Sequence, residues 1–456
     1  MTERLVPISE REFNIYALSL LRGPNFEPFE FVEAWKAKQG AAVGAVFAFP
    51  KVGDFLVLAM CRQGDHRFVI TFEDVGFHTL EAANQTLHNH LIDTKLPAPV
   101  APGYKRRSLL LETGRRKPCP NFQLLTGTPN HLHALMTVGE AYLAMPNPDE
   151  NFVSDFQTEG FDARLWELYL LAVFREQGLV VQQDLPSPDF HIERGEHECY
   201  VEAVTANPSE GRGLLPTRPQ FAPEDHRERL YGGSAERFAK TLRSKLQRGY
   251  DQLPHVIGKP FALALADFHA ASSMVWSREA LPTYLYGYSA HVESRDGADV
   301  AVGTPITNLI GKDRIPAGLF RDPAMAHLSA VIFSNAATIA KFNRMGFLAG
   351  WKPFGVSMIR SGTIFDRKPG ALKPISFEFD ILSEGYTALW PGGEMWCQEL
   401  EVYHNPLAAN PINFDLLPGA THWFGLDNEI ECKTMWENCV LASTTLVKST
   451  KDRNSR

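Results

Sequence analysis

Three carboxylates in the middle of the chain have the types and spacing that cation-dependent cleavage of a phosphodiester requires: Glu167, Asp189 and Glu202. Glu167 has Ala163, Leu170 and Leu171 one helical turn away, with Arg164 beside them. A carboxylate in that setting is partly buried and needs a partner. An ion pair with Arg164 is the plainer reading of the same residues. Asp189 follows Pro188, as a turn-starting acid would, and opens an alternating stretch in which Asp189, His191 and Glu193 share one side. Glu202 comes 13 positions later, between Val201 and Ala203. There Cys199, Val201, Ala203 and Thr205 face one way, and Tyr200, Glu202, Val204 and Ala206 face the other. If the two stretches form a hairpin, Asp189 and Glu202 meet across it. Two carboxylates with open coordination positions suit Mg²⁺ (or Mn²⁺), which keeps several waters and accepts phosphate oxygens. Such an ion polarises a phosphate and helps generate a hydroxide nucleophile.

The elements that must position these groups are regular. Residues 161–177 read as a helix stopped at Gly178. Strands follow at 179–183, 189–193 and 199–206, with a turn at Arg194–Gly195. After a polar loop at 208–233, Ser234 can cap a helix reaching about Leu253, and 261–268 is a buried strand rich in Ala and Leu. The order helix, strand, strand, strand, helix, strand is a mixed α/β (α+β) arrangement, with a central mixed sheet flanked by helices.

Glu167 in a helix, Pro188-Asp189, and Glu202-Ala203-Val204 on the following strand resemble the PD-(D/E)XK superfamily, the restriction-endonuclease-like nucleases. The resemblance covers residues 160–270 and implies a bacterial, metal-dependent hydrolase of DNA, less often RNA. In it Asp189 and Glu202 hold the metal and Glu167 orients the attacking water. One departure stands out. The family's lysine, two residues after the strand carboxylate, is replaced here by Val204. Either catalysis is lost, leaving a nuclease-like fold that binds nucleic acid or acts as a scaffold, or the cation comes from elsewhere. On the helix after Ser234, Phe238, Leu242, Leu246, Gly249 and Leu253 share an arc of about 80° at about 100° per residue. Lys245 lies about 20° from Phe238 on that wheel, whereas Lys240 points the opposite way. Lys245 is therefore the expected replacement cation, although a lysine there also covers apolar surface with its stem. Thr205 and Asn207 are weaker polar substitutes. The stretch from Glu210 to Asp251 carries Arg212, Arg218, Arg227, Arg229, Arg237, Lys240, Arg243, Lys245 and Arg248, a supply of phosphate contacts or of solvating charge.

The rest of the chain sets the frame. At 456 residues it divides, on ordinary domain sizes, into several units. The expected organisation is an α+β unit at 1–95, a proline-rich connecting segment at 96–155, the nuclease-like core at 156–350 with a loop insertion at 290–325, a strand-rich extension at 351–447 and a tail at 448–456. The connecting segment holds two basic clusters, at 105–107 and 115–117. A net charge of −8 excludes a protein that coats nucleic acid over its whole surface, but not a local basic groove. The six cysteines are scattered without a C-x-x-C pair, as in a reducing cytoplasm, and give no zinc ribbon or disulfide framework. No secretion signal and no apolar run of about 20 residues is present, so no membrane partner is expected. Nucleic acid, DNA first, is the expected partner, and a homo-oligomer is compatible with the sequence. Leu87-His88-Asn89-His90 is not an HNH nuclease motif, and a strand candidate at His327–Asn335 is followed by a segment ending in Lys341-Phe342-Asn343-Arg344-Met345-Gly346.

Overall fold

The computed structural model describes residues 5–21, 29–92, 106–110, 116–208, 222–311, 314–368, 371–426 and 429–449. The fold is mixed α/β. The N-terminal unit is a sheet in the order β1 (Leu5–Ile8), β2 (Glu30–Ala37), β3 (Ala42–Phe49), β4 (Asp54–Arg62) and β5 (Phe68–Phe77). It carries α1 (Glu10–Ala17) and α2 (Leu80–Ile92). Alternation along β3 divides it: Val43, Ala45 and Phe47 join Phe13 of α1 in one core, and Ala42 and Val46 join Leu87 of α2 in another.

Residues 116–157 are not a bare connector. They form α3 (Pro120–Gly127), α4 (Leu132–Ala144) and α5 (Phe152–Gln157), whose Phe122, Val138 and Phe156 enter the main core. The prolines that suggested a linker sit where helices tolerate them. Pro120 occupies the first turn of α3, where the missing N–H has no partner to lose. Pro146 and Pro148 lie beyond the end of α4. Of the two basic clusters, Lys105 and Arg115 fall outside the described residues; Arg106 instead donates to the carbonyls at the end of α4.

The main sheet has eight strands, in the spatial order 429–433, 421–426, 401–404, 330–333, 261–267, 197–206, 190–194 and 180–182. α6 (Phe161–Glu176) precedes β6 (Val180–Gln182), β7 (Phe190–Arg194) and β8 (His197–Ala206), two successive antiparallel hairpins. α7 (His226–Tyr231) and α8 (Gly233–Leu246) then cross to β9 (Phe261–Asp267), parallel to β8. After α9 (Ala280–Tyr286) come β10 (Tyr288–Arg295) and β11 (Ala298–Pro305). The expected loop at 290–325 therefore contains a hairpin. Its turn is Asp296-Gly297, with φ of 53° and 80°, the left-handed pair that tight hairpins favour. β12 (Ala330–Phe333) runs parallel to β9 and leads to α10 (Ile339–Leu348).

The core does not end at 350. β13 (Val356–Ile364), β14 (Ile375–Asp380) and, beyond α11 (Glu384–Leu389), β18 (Val440–Ser449) form a separate three-stranded sheet. Between them in sequence, β15 (Glu401–His404), β16 (Thr421–Leu426) and β17 (Glu429–Lys433) complete the main sheet.

β9 shows why the sheet can be covered on both faces. Ala262, Ala264 and Ala266 face α6, and Phe261, Leu263 and Leu265 face α8 and α9. The small residues let α6 lie close, and Trp166 fills the space, donating Nε1–H to the Ala264 carbonyl at 2.9 Å. The Lys341–Gly346 motif lies in α10 and is structural. Lys341 and Arg344 pair with Glu394 at 2.8 Å each, and Arg360 of β13 reaches the partly buried Glu399 at 2.7 Å; Lys341, Arg344, Arg360 and Glu394 are all buried. The lysine and two arginines hold Glu394 well below the ordinary carboxylate range despite its burial. Gly346 is required by close packing, since a Cβ there would lie 2.5 Å from Thr137 Oγ1 of α4. The ionic cluster thus ties the C-terminal sheet to the core.

Trp166→Ala removes a fully buried ring from the α6–β9 contact and is expected to cost about 3–5 kcal/mol in urea unfolding. A loss below about 1 kcal/mol would contradict this packing account.

Candidate functional site

The β7–β8 hairpin is the local frame of the site. Gly195 takes a φ of 58° at its tip, and the register pairs Glu193 with Glu198, His191 with Tyr200 and Phe190 with Val201. One step further, Asp189 lies across from Glu202, as the alternation predicts. Phe190, Ile192, Cys199 and Val201 enter the core under α6, while Tyr200 and Val204 pack toward α8. That division turns Glu202 toward α8.

Glu202 is 5% exposed, and its Oε1 accepts from Lys245 Nζ at 2.6 Å and from the Tyr250 hydroxyl at 2.6 Å. Lys245 therefore reaches the strand carboxylate from the helix, and it is the cation that stands where Val204 offers none. Lys240 points away and pairs with Glu236 at 2.7 Å. Thr205 and Asn207 bond each other rather than Glu202. Tyr250 was not anticipated. α8 ends at Leu246, short of the expected Leu253, and Gly249 at a φ of 67° turns the chain so that Tyr250 points back at Glu202. The signal lay in that glycine, which a helix running on would not want.

Asp189 Oδ2 accepts from the Ala203 backbone N–H at 2.8 Å. Burial, and the Glu202 charge beside it, push its carboxyl up to about 7. Glu167, on α6, receives two contacts from Arg164 Nη1 at 3.1 and 3.2 Å. Both readings of Glu167 hold at once, because it is paired to Arg164 and also faces Asp189. Burial, and then the Asp189 charge, push it up to about 8. Arg164 is shared with Asp155 at 2.7 Å and Asp149 at 2.7 Å, so it cannot neutralise Glu167 alone.

All four sequence-derived residues, Glu167, Asp189, Glu202 and Lys245, are thus brought to one place. Donors hold one oxygen each of Asp189 and Glu202, and the hydrogen bonds among the described residues leave Asp189 Oδ1 and Glu202 Oε2 for an ion. The donor set is all oxygen, which fits Mg²⁺ or Mn²⁺. Raised carboxyls are also what a divalent cation relieves, because it displaces their protons. Glu167 does not close with the other two into a tight three-ligand group; among the described residues only His191, Glu193 and Glu198 do. Glu167 is therefore placed beside the pair rather than in it. Arg212 and Arg218 lie outside the described residues. Arg248 is exposed next to Tyr250 and feels both Glu202 and Asp189. Clefts of about 210 and 670 Å³ near Arg278 and Glu401 share no residue with this site.

Comparison of the chain with protein-family models, curated proteins and solved structures yields no match. No helix among the described residues is long and apolar enough to cross a membrane.

The sign of the pH effect follows from the direction of the shift. A carboxyl raised in the folded state contributes stability that is full below its unfolded pKa and is lost as pH rises through the folded value, here about 7 for Asp189. Asp189→Asn removes that loss while its side-chain oxygen can still accept from Ala203. In chelator-treated protein the variant is expected to exceed the parent by on the order of 1–2 kcal/mol at pH 8, with the difference shrinking toward pH 4. Thermal melts across that range check it; a difference independent of pH would contradict the charge repulsion.

Proposed function

We propose that the protein is a divalent-metal-dependent phosphodiesterase acting on nucleic acid, DNA in the first instance, with a PD-(D/E)XK-type site in which the lysine has moved from strand to helix. The observation that carries this reading is the 2.6 Å contact of Lys245 Nζ with Glu202 Oε1, beside a repelling Asp189. A pairing of Lys245 with Glu202 alone would be an ordinary ion pair. The adjoining Asp189 and Glu167 make the local carboxylate charge exceed what Lys245 and Arg164 balance, which favours a bound cation.

Mg²⁺ or Mn²⁺, held by Asp189 and Glu202, supplies Lewis-acid polarisation of the phosphate when bound. The protein's own groups would do the rest. Lys245, about a quarter exposed, keeps further N–H donors for a phosphate oxygen while one serves Glu202. Tyr250 holds Glu202 Oε1 and so fixes the direction of Oε2. Glu167, with its raised carboxyl, is suited to accept a proton from an attacking water near neutral pH. Arg248 offers an exposed guanidinium for the flanking backbone. In the reaction the water oxygen bonds to phosphorus, a P–O ester bond breaks, and the leaving oxygen takes up a proton. DNA processing or phage defence in the cytoplasm is the setting this chemistry suits. Val204 on its own favours the second reading, an inactive nuclease-like fold that binds nucleic acid or acts as a scaffold.

The test is cleavage of supercoiled plasmid, single-stranded DNA and RNA with Mg²⁺ or Mn²⁺. Asp189→Ala is expected to abolish cleavage, and Lys245→Ala to lower it by about 100- to 1,000-fold, as for loss of one transition-state donor. Cleavage by the parent that survives Asp189→Ala would sink the assignment. Binding without cleavage by the parent would select the inactive fold.

A further inference from the structure

The tip of the same hairpin carries a second cluster with a different donor chemistry. His191 Nε2 lies 2.9 Å from Glu198 Oε2 and 3.6 Å from Glu193 Oε1. The three donor atoms all lie within 4.8 Å of one another, the spacing of atoms around one ion.

Each group is held in that aim from behind. The His191 ring stacks on Tyr200 with centroids 4.2 Å apart and planes 3° from parallel. Gln182 Nε2 donates to the other oxygen of Glu193, Oε2, at 2.7 Å, and Lys259 Nζ donates to the other oxygen of Glu198, Oε1. Both carboxylates therefore spend one oxygen on a neighbour and turn the remaining one toward the imidazole nitrogen. Supporting donors of this kind orient metal ligands.

The register supplies an independent reason for a cation. Glu193 and Glu198 are directly opposed across the ladder, and like charges so placed destabilise a sheet. Lys259 lies at the outer oxygen of Glu198, while among the described residues the inner pair faces the imidazole. The donors remain reachable, since the side chains of His191, Glu193 and Glu198 are 15%, 35% and 23% exposed.

We propose that His191, Glu193 and Glu198 form a second metal site, for a first-row transition ion such as Zn²⁺ and not for Mg²⁺, that clamps β7 to β8. One nitrogen and two carboxylate oxygens suit such an ion, whereas imidazole is a poor ligand for Mg²⁺. The ion takes the place of the hydrogen shared between His191 and Glu198. Since Asp189 immediately precedes β7, two positions and about 7 Å from His191, the clamp fixes the strand that Asp189 leads into. The site stands on its own geometry and does not depend on the nuclease reading.

The experiment is calorimetric titration and thermal melting of the full, chelator-treated chain with Zn²⁺ and, separately, Mg²⁺. His191→Ala is expected to weaken the tightest Zn²⁺ binding at least tenfold and to leave any Mg²⁺ stabilisation unchanged. Asp189→Ala is expected to keep the Zn²⁺ response. Glu193→Gln serves as the second variant should His191→Ala fold poorly, with the same loss of Zn²⁺ affinity expected. No Zn²⁺ binding by the parent, or Zn²⁺ affinity unchanged in both His191→Ala and Glu193→Gln, overturns the proposal. A Zn²⁺ response lost only in Asp189→Ala also overturns it, by placing the ion at the other site. A Mg²⁺ response absent from the parent counts against the nuclease reading alone.

Discussion

A buried carboxylate on a central strand has to be partnered, and the partner Glu202 finds decides how the middle of this molecule is built. Its neighbours on β8 are apolar, and β9 on one side presents only Ala, Leu and Phe ahead of its terminal Asp267. The partners therefore come from above the sheet. α8 must lie so that Lys245 extends down its edge, and the chain must turn at Gly249 so that Tyr250 returns to the same oxygen. The apolar stripe of α8, with Phe238 and Leu242 fully buried, seats the helix at that height. Removing either donor alone leaves a carboxylate whose desolvation is no longer offset.

That single pairing does not exhaust the charge. Asp189 enters from just ahead of β7 and Glu167 from α6, and among the described residues the cations within reach are Lys245, the shared Arg164 and the exposed Arg248. Burial pushes both added carboxyls upward, and the charge of Glu202 beside Asp189 and of Asp189 beside Glu167 adds to it. The contrast with Glu394 is instructive. It is just as buried, yet it is held well below the ordinary range because Lys341, Arg344 and Arg360 surround it. One cluster sets three cations against Glu394 and Glu399 and ties the C-terminal sheet to the core. The other is left short of positive charge, which is the usual mark of a site that works on something.

Much of this was legible in the chain because it rests on local periodicity. The strand alternation put Asp189 opposite Glu202, and the helical phase from Phe238 put Lys245 beside the core, where it meets Glu202. Other features depend on contacts that no local pattern records. The helices between 116 and 157 were hidden because prolines start and follow helices as readily as they break them. The hairpin at 288–305 was readable in principle from Asp296-Gly297. β15–β17 join the main sheet through pairing with β12, a contact some 70 residues away in sequence, and nothing in their own residues announces it. Tyr250 and the opposed Glu193 and Glu198 became visible only once the turns at Gly249 and Gly195 were in place. Nothing local announces the burial of Lys341 and Arg344, because their partners lie about 50 residues downstream.

The central claim is that Asp189 and Glu202 hold a divalent cation beside Lys245. The most direct measurement is anomalous diffraction from crystals soaked in Mn²⁺ near pH 8, above the value of about 7 to which the Asp189 carboxyl is raised. The account predicts a Mn²⁺ peak between Asp189 Oδ1 and Glu202 Oε2, with Lys245 still on Oε1. No peak there at saturating Mn²⁺, with Lys245 and Tyr250 unmoved, would contradict it and leave the three carboxylates as structural groups.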